Sequence, residues 1–459
     1  MRKIFKYHKE GLLLTKAKME KKEEMEFVGY KNRYPIEVSI QVNSEAVKDL
    51  QQKYAKLSLD NINRMRAVKN RAKSLEYFDK AVFDRSQRYE ELKKFKAAGG
   101  KVIGVFCIQV PDEIIYAAGA VPLRLSCGFY DSISPAEEII PKNTCPLIKS
   151  SVGYNLLNIN PLFALCDLLI IPTTCDGKKK MIDVLSNYHK VWPLTLPDDK
   201  DNPESREFWV EQIKMLKAKL EKFTGHTITK EDLKHQVQRL HERTGLVRQL
   251  FDVRKEKKIV ITGRDMYTVM NVAFFDDADR WMSKVKVLID ELKNNQKNNI
   301  TMMPDNTPRI HVTGSSLVWP NMKLLHILEE SGSVVVSDDV CTVGQYFYNP
   351  AELDDWSMKA MLDAIADKYL LPAVCPIFVH SDDRIDRLLE LVDKYKADGV
   401  VYHILRLCQV FDYEFSKVYK VCEKKNIPIL KIETEYSEED AGQIKTRIEA
   451  FIEMIEARK

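Results

Sequence analysis

The spacing of apolar and polar residues changes along the chain and predicts four segments. Residues 1–98 are highly charged and carry apolar positions at helical spacing, which predicts a helical cap or dimer arm. Across residues 99–202, short β-rich runs alternate with helical stretches. Residues 203–308 return to helical spacing, and residues 309–459 resume the alternation. The chain therefore divides into a helical N-terminal segment, an α/β region, a helical insert and a second α/β region.

The two alternating regions have the same order of predicted elements. Alternation of this kind is typical of a parallel sheet covered by helices on both faces. The main predicted strands are 102–107, 121–126, 167–174 and 192–197 in the first region, and 309–314, 333–337, 398–407 and 429–434 in the second. The sequence therefore predicts an α/β fold of two similar Rossmann-like parallel-sheet domains, with the helical insert outside both sheets.

Cysteine is the residue type whose distribution carries the most chemistry. The chain has nine cysteines, none of them in the first hundred residues or between residues 176 and 340. No secretion signal is recognisable, so we expect a cytoplasmic protein, in which disulfides rarely persist. The absence of a CxxC pair argues against zinc ribbons and thioredoxin-like sites. Buried thiols, reactive thiols and metal ligands stay open as roles.

Six of the nine cysteines occupy equivalent points of the two α/β regions. One pair follows the second predicted strand, one pair precedes a proline, and one pair follows a later strand. Ligands of doubly wound sheets bind at the carboxyl ends of the strands, so we expect these six thiols around one interdomain cleft. The pairs are Cys127 with Cys341, Cys145 with Cys375, and Cys175 with Cys408.

A site rich in thiolates selects iron–sulfur clusters, zinc or copper(I), and six ligands exceed what one tetrahedral zinc needs. Cys166 and Cys422 have no counterpart in the repeat and lie beside apolar stretches, so we expect them to be buried structural residues. Cys107 ends the first predicted strand, and its counterpart in the second domain is near Ser315. Its role stays open between ligand and core residue.

Charge and motif content exclude several other functions. The chain has 71 basic and 67 acidic residues, a balance that argues against a nucleic-acid partner. No apolar run reaches the roughly 18 residues that a membrane span needs, so no membrane partner is expected. No GxxxxGK[ST] phosphate loop occurs, so this chain lacks visible ATPase machinery.

Five segments carry the most specific signals: FCIQVPDEIIYAAGAVPLRL, CPLIKSSVGY, DLLIIPTTCDGKKKM, ADGVVYHILRLCQVFDYE and LKIETEYSEEDAGQIKTRIEAF. Together they closely resemble the 2-hydroxyacyl-CoA dehydratase family, which includes benzoyl-CoA reductase subunits and double-cubane cluster proteins. The resemblance runs from about Val102 to the C-terminus, apart from the helical insert, and is strongest to the double-cubane branch. The first ninety residues add nothing to it.

The resemblance implies a cofactor and its ligands. In dehydratase subunits, three cysteines hold one [4Fe-4S] cluster, and the additional cysteines here resemble the extra ligands of a double-cubane [8Fe-9S] cluster. The first three correspond to Cys145, Cys175 and Cys408, and the additional ones are Cys127, Cys341 and Cys375.

The resemblance also implies partners and an activity. Members of the double-cubane branch are homodimers that receive electrons from a separate ATP-hydrolysing iron–sulfur activator. The leading hypothesis is therefore an ATP-dependent reductase component that passes electrons to a small-molecule substrate. The first alternative is a 2-hydroxyacyl-CoA dehydratase subunit with a single [4Fe-4S] cluster. The second alternative is a non-catalytic electron-transfer protein.

Overall fold

A computed structural model describes residues 44–371 and 375–458 of the chain. The start of the predicted N-terminal helical segment, residues 1–43, lies outside the described residues. The remainder of that segment is helical, as expected, and Phe78 and Leu92 anchor it in the core. Its helices are α1 (Ser44–Arg66), α2 (Leu75–Phe83) and α3 (Ser86–Ala97).

The first α/β domain contains a four-stranded parallel sheet in the order β2-β1-β3-β4. Its strands are β1 (Lys101–Val105), β2 (Ala120–Arg124), β3 (Leu168–Pro172) and β4 (Val191–Leu194). The flanking helices are α4 (Asp112–Ala117), α5 (Ile133–Ala136), α6 (Pro146–Leu156) and α7 (Asp176–Leu185), with short 3-10 turns at Tyr130–Ser132 and Phe163–Leu165.

The insert is helical and contributes no strand to either sheet, as predicted. Local capping signals define its helices: Asn202 caps the first through its side chain, and Thr229 forms a capping box at the second. Gly225 ends the first helix in a left-handed conformation, with φ of 76°. The helices are α8 (Pro203–Thr224), α9 (Lys230–Asp252), α10 (Gly263–Val272) and α11 (Ala278–Lys297), with a 3-10 turn at Val253–Lys255.

The second α/β domain repeats the topology of the first, with a separate parallel sheet in the order β6-β5-β7-β8. The prediction of two similar parallel-sheet domains is therefore confirmed. Its strands are β5 (Arg309–Gly314), β6 (Val334–Asp338), β7 (Gly399–Leu405) and β8 (Ile429–Thr434). Its helices are α12 (Lys323–Glu330), α13 (Gly344–Tyr348), α14 (Met358–Leu370), α15 (Asp382–Lys394), α16 (Gln409–Lys424) and α17 (Ala441–Glu456).

Five strands, β1, β2, β3, β4 and β7, end two or three residues earlier than the apolar pattern predicts. The pattern extends strands β1 and β7 to residues 107 and 407, but they stop at Val105 and Leu405. The backbone turns into the left-handed region soon after each strand, with φ of 57° at Cys107 and 64° at Leu407. A left-handed residue cannot continue a strand, so an apolar pattern alone overestimates the strand length.

Buried ion pairs join the two domains. The carboxylate of Glu113, in α4, lies 2.6 Å from the Lys368 ammonium in α14, and Tyr369 donates to the same carboxylate at 2.8 Å. The neighbouring Asp112 pairs with Arg124 at 3.0 Å and faces Arg243 of the insert at 3.5 Å. These contacts fix the second domain and the insert against the first domain.

No helix in the described part of the chain is long and apolar enough to cross a membrane.

Removing one partner of this buried pair should destabilise the fold. We expect Lys368→Met to lower the free energy of unfolding by about 3–5 kcal/mol, since it leaves the Glu113 carboxylate buried without its cation. The matched control is Lys359→Met in the same helix. The Lys359 side chain is exposed and pairs with Asp363, so its removal should lower the free energy of unfolding by less than about 1 kcal/mol. Urea unfolding midpoints measure both, and equal midpoints would contradict the role of the buried pair.

Candidate functional site

The carboxyl ends of the two sheets border one cavity of about 600 Å³. Several cysteines reach it in the same way, because each lies three residues after the last residue of its strand. Cys175 follows β3, Cys341 follows β6 and Cys408 follows β7 in this manner. The complete set of cysteines lining the cavity is Cys107, Cys145, Cys175, Cys341, Cys375 and Cys408.

Three of these cysteines occupy the same local structure, the N-cap of a helix. Cys145 precedes α6, with Pro146 at its first position, Cys175 precedes α7, and Cys408 precedes α16. Free N–H groups and the positive end of the helix dipole meet at such a position, so each of these thiols is suited to negative charge. These are the three cysteines that the resemblance assigned to a single [4Fe-4S] cluster.

The thiols of Cys145 and Cys408 meet across the domain boundary. Both pack beside a small apolar cluster that includes Leu405 and Tyr436. The interaction with the Cys145 thiol lowers the pKa of Cys408 to about 7. The same interaction, together with burial, raises the pKa of Cys145. One thiol of this pair therefore loses its proton more easily than the other.

Cys341 and Cys375 bring second-domain thiols to the cavity. Burial raises the pKa of Cys341 to about 11, although its sulfur lies 2.6 Å from the Ser316 hydroxyl, which favours the thiolate. Burial also raises the pKa of Cys375. In contrast to Cys145, Cys375 precedes a turn rather than a helix, so the repeat does not reproduce the helix dipole here.

Cys107, whose role the sequence left open, borders the cavity. Its sulfur is 3.5 Å from the Thr174 hydroxyl, and its carbonyl oxygen accepts a hydrogen bond from Arg124. The left-handed backbone at Cys107 is an unfavourable conformation for a residue with a side chain, and such residues concentrate at functional sites. The sequence signal that could have found it is its position just after the first strand of a doubly wound sheet.

Cys127 is the predicted site residue that does not line the large cavity. Its side chain is 1% exposed and packs with Phe129 and Tyr154. It lines an adjoining cavity of about 60 Å³, which also touches Cys107 and Cys341. Burial raises the pKa of Cys127 to about 12. The structure therefore brings five of the six predicted cysteines to one cavity and Cys127 to the narrower space beside it.

The remaining two cysteines lie in apolar cores. Cys166 belongs to the main core and Cys422 to the core beneath α16, and neither lines the cavity. Burial raises the pKa of Cys166 to about 12 and that of Cys422 to about 11. Their surroundings agree with the structural role expected from the sequence.

The donors that line the cavity are thiols, the ligand type that iron–sulfur clusters use. Within residues 44–371 and 375–458, no three His, Cys, Asp or Glu side chains converge closely enough to hold one metal ion. The cavity thiols instead surround an open space with largely apolar walls, including Ile148 and Leu405. Iron–sulfur clusters are held by separated cysteine thiolates around such a space, and imidazole ligands are not needed.

Comparison with known proteins decides the family. A sequence profile described as "2-hydroxyglutaryl-CoA dehydratase, D-component" matches residues 107–455, which include all nine cysteines. The chain belongs to this family. The resemblance noted in the sequence is thereby confirmed at the family level.

Individual members of the dehydratase family match most of the chain. The Escherichia coli K12 protein named "Putative dehydratase subunit YjiM" is 31% identical over 82% of this chain and 98% of its own length. The (R)-phenyllactyl-CoA dehydratase beta subunit of Clostridium sporogenes is 24% identical over 79% of this chain and 94% of its own. A benzoyl-CoA reductase subunit of Thauera aromatica is 21% identical over 75% and 87%, respectively. The relatives are thus named as subunits of dehydratases and of a reductase.

Cys408 and Cys422 lie near opposite ends of α16, and the difference between their reactivities tests the described surroundings of the site. In metal-free protein at pH 7, we expect iodoacetamide to alkylate Cys408 at least about 100-fold faster than Cys422. Cys408 borders the cavity with a pKa of about 7, whereas Cys422 is buried with a pKa of about 11. The Cys408 rate should rise between pH 6 and 8 and then level off. Peptide mass spectrometry measures both rates, and similar rates would refute the described surroundings.

Proposed function

We propose that this protein is an iron–sulfur reductase component that carries a double-cubane [8Fe-9S] cluster in the cavity between its α/β domains. The observation that carries the proposal is the convergence of thiols from both domains on one largely apolar cavity. A dehydratase-type cluster needs only three cysteine ligands. The additional thiols around the same space are the reason to favour two cubanes over one.

The proposed ligands form two sets. The first set is the three helix N-cap cysteines, Cys145, Cys175 and Cys408, whose helix starts oppose the effect of burial and favour the thiolate. The second set includes Cys341 and Cys375. Its third member is Cys127 in the assignment based on the repeat, and the geometry of the cavity offers Cys107 as a rival for the same position.

The protein's own residues prepare this cavity for a negatively charged group. Largely apolar walls exclude water, and N–H groups at three helix starts stabilise negative charge on sulfur. The Ser316 hydroxyl does the same for Cys341. A cluster bound here would supply electrons at low potential, because burial among apolar walls lowers its reduction potential. Hydrogen bonds to its ligands have the opposite effect and raise the potential.

The proposed electron source is a separate ATP-hydrolysing iron–sulfur activator. The support is twofold: this sequence carries no phosphate loop, and the matched relatives are named as subunits. The proposed assembly is a homodimer, which the activator reduces. The proposed substrate is a small molecule, because a cluster with six cysteines and a bridging sulfide leaves no permanently open iron.

A second candidate function is a 2-hydroxyacyl-CoA dehydratase subunit with a single [4Fe-4S] cluster. The names of several relatives favour it, and the three helix N-cap cysteines would be sufficient to hold that cluster. Cys341 and Cys375 would then be unligated thiols in the wall. The two functions predict different iron contents and different substrates.

Iron content separates the two functions. Protein purified without oxygen should contain about eight irons per chain under the leading proposal and about four under the alternative. Cys341→Ala and Cys375→Ala should each lower the content to about four, because loss of one thiolate removes a ligand that no neighbour replaces.

The controls are Cys166→Ala and Cys422→Ala, which remove thiols that do not line the cavity and should leave iron unchanged. Full iron content in both Cys341→Ala and Cys375→Ala would defeat the double-cubane proposal. Iron loss in both controls would show that the ligands were chosen wrongly.

The sixth ligand can be assigned with a pair of variants. We expect only one of Cys107→Ala and Cys127→Ala to lower the iron and sulfide content, because only one thiol is needed to complete the second set. The variant that retains iron serves as the matched control for the other, since both thiols border the same narrow cavity. Full iron in both variants, or loss in both, would contradict a six-ligand cluster.

The reductase role is tested by reoxidation of the reduced protein. Small oxidised substrates should reoxidise it during turnover under the leading proposal, whereas a 2-hydroxyacyl-CoA should be dehydrated under the alternative. Reduction and reoxidation only by other electron carriers would indicate a non-catalytic electron-transfer protein. Visible and electron paramagnetic resonance spectra under argon measure these reactions.

A further inference from the structure

One buried cation beside the cysteines has no acidic partner. Lys178 belongs to the TTCDGKKK segment, and its side chain is 3% exposed. Its ammonium lies 3.7 Å from the Met181 sulfur and 4.7 Å from the centre of the Phe106 ring. No carboxylate in the described part of the chain lies within 4 Å of it.

The next two lysines of the segment are in an ordinary environment. Lys179 and Lys180 are 47% and 82% exposed, and they pair with Asp176 and Asp183 on the helix surface. The contrast shows that the burial of Lys178 is specific to its position and does not follow from the basic composition of the segment. A thioether and an aromatic ring compensate only a small part of the cost of removing an ammonium from water.

Lys178 lies near cysteines of both domains. The residue lines the large cavity and also the narrow one beside it. Its positive charge opposes the effect of burial on the pKa of Cys175, from the first domain, and of Cys341, from the second. The ammonium therefore lies where thiols from the two halves of the chain approach each other.

A second cation near Cys341 is already neutralised. Arg384 also acts on Cys341, but its guanidinium lies 2.7 Å from Glu414 and 3.5 Å from Asp339. Its charge is thus balanced within the second domain. Lys178 is different, because its positive charge has no protein counter-charge at ion-pair distance among the described residues.

We propose that Lys178 is the counter-ion of the cluster and raises its reduction potential. This inference rests on the proposed function, since it requires a negatively charged cluster in the cavity. Each electron that a reductant adds makes the cluster more negative, and a nearby ammonium in an apolar cavity stabilises the reduced form more than the oxidised form. Lys178 acts through the electrostatic field and is a positioning residue, not a catalytic one.

A redox titration tests this role without any knowledge of the substrate. The holoprotein and its Lys178→Met variant are titrated with titanium(III) citrate under argon, and electron paramagnetic resonance follows the reduced cluster. We expect the midpoint potential of Lys178→Met to shift to a more negative value and that of Lys178→Arg to stay near the unmodified protein. The matched control, Lys179→Met, removes the same charge from a neighbouring position of the same helix that does not line the cavity, and it should shift the potential little.

Iron and sulfide content is measured first, so that the two proposals fail separately. Absence of iron from the unmodified protein would overturn the proposed function and this inference with it. Full iron with an unchanged potential in Lys178→Met would overturn this inference alone. Iron loss in Lys178→Met that Lys178→Arg restores would support it, because the cluster then needs the positive charge. Iron loss in both variants would contradict a role based on charge.

Discussion

The site depends on a buried electrostatic joint between the two domains. Glu113 and Lys368 form an ion pair with side chains at most 5% exposed, and Asp112 extends the joint to Arg124 and Arg243. A buried charge that loses its partner is costly, so the joint resists separation of the domains. Together with the continuous apolar core that spans both domains, these ion pairs hold the two sheets with their carboxyl ends around one cavity. The thiols meet across the domain boundary because the domains are held at this distance.

Inside the cavity, two physical effects act on the thiols in opposite directions. Burial favours the neutral thiol and raises the pKa of Cys175, Cys341 and Cys375. Helix starts, a serine hydroxyl and the Lys178 ammonium favour the thiolate. Without a metal, burial dominates for these three residues. Metal binding requires thiolates and therefore releases protons, and the groups that favour the thiolates are already in place around the cavity.

Much of the fold could be predicted from the sequence, because the apolar periodicity of helices and strands is a local property of the chain and the second α/β region repeats the first. Strands β5 and β8 lie where the apolar pattern indicated, and the two sheets have the same strand order. The different depths of Cys107 and Cys127 could not be predicted in this way. Both follow strands, but a left-handed backbone directs one to the large cavity, while packing against Phe129 and Tyr154 buries the other. Such orientations depend on tertiary neighbours, which spacing does not encode.

The repeat produces similar topology but unequal electrostatics, and this difference bears on the proposed cluster. Cys145-Pro146 starts a helix in the first domain, whereas Cys375-Pro376 enters a turn in the second. Cys145, Cys175 and Cys408, the first proposed ligand set, each lie at a helix start, whereas Cys341 and Cys375 are not N-cap residues of a described helix. Positive helix ends stabilise added negative charge. In a double cubane held by these residues, the cubane of the first set would accept an electron more readily than the other, so an electron entering the cavity would have a preferred position before it reaches a substrate.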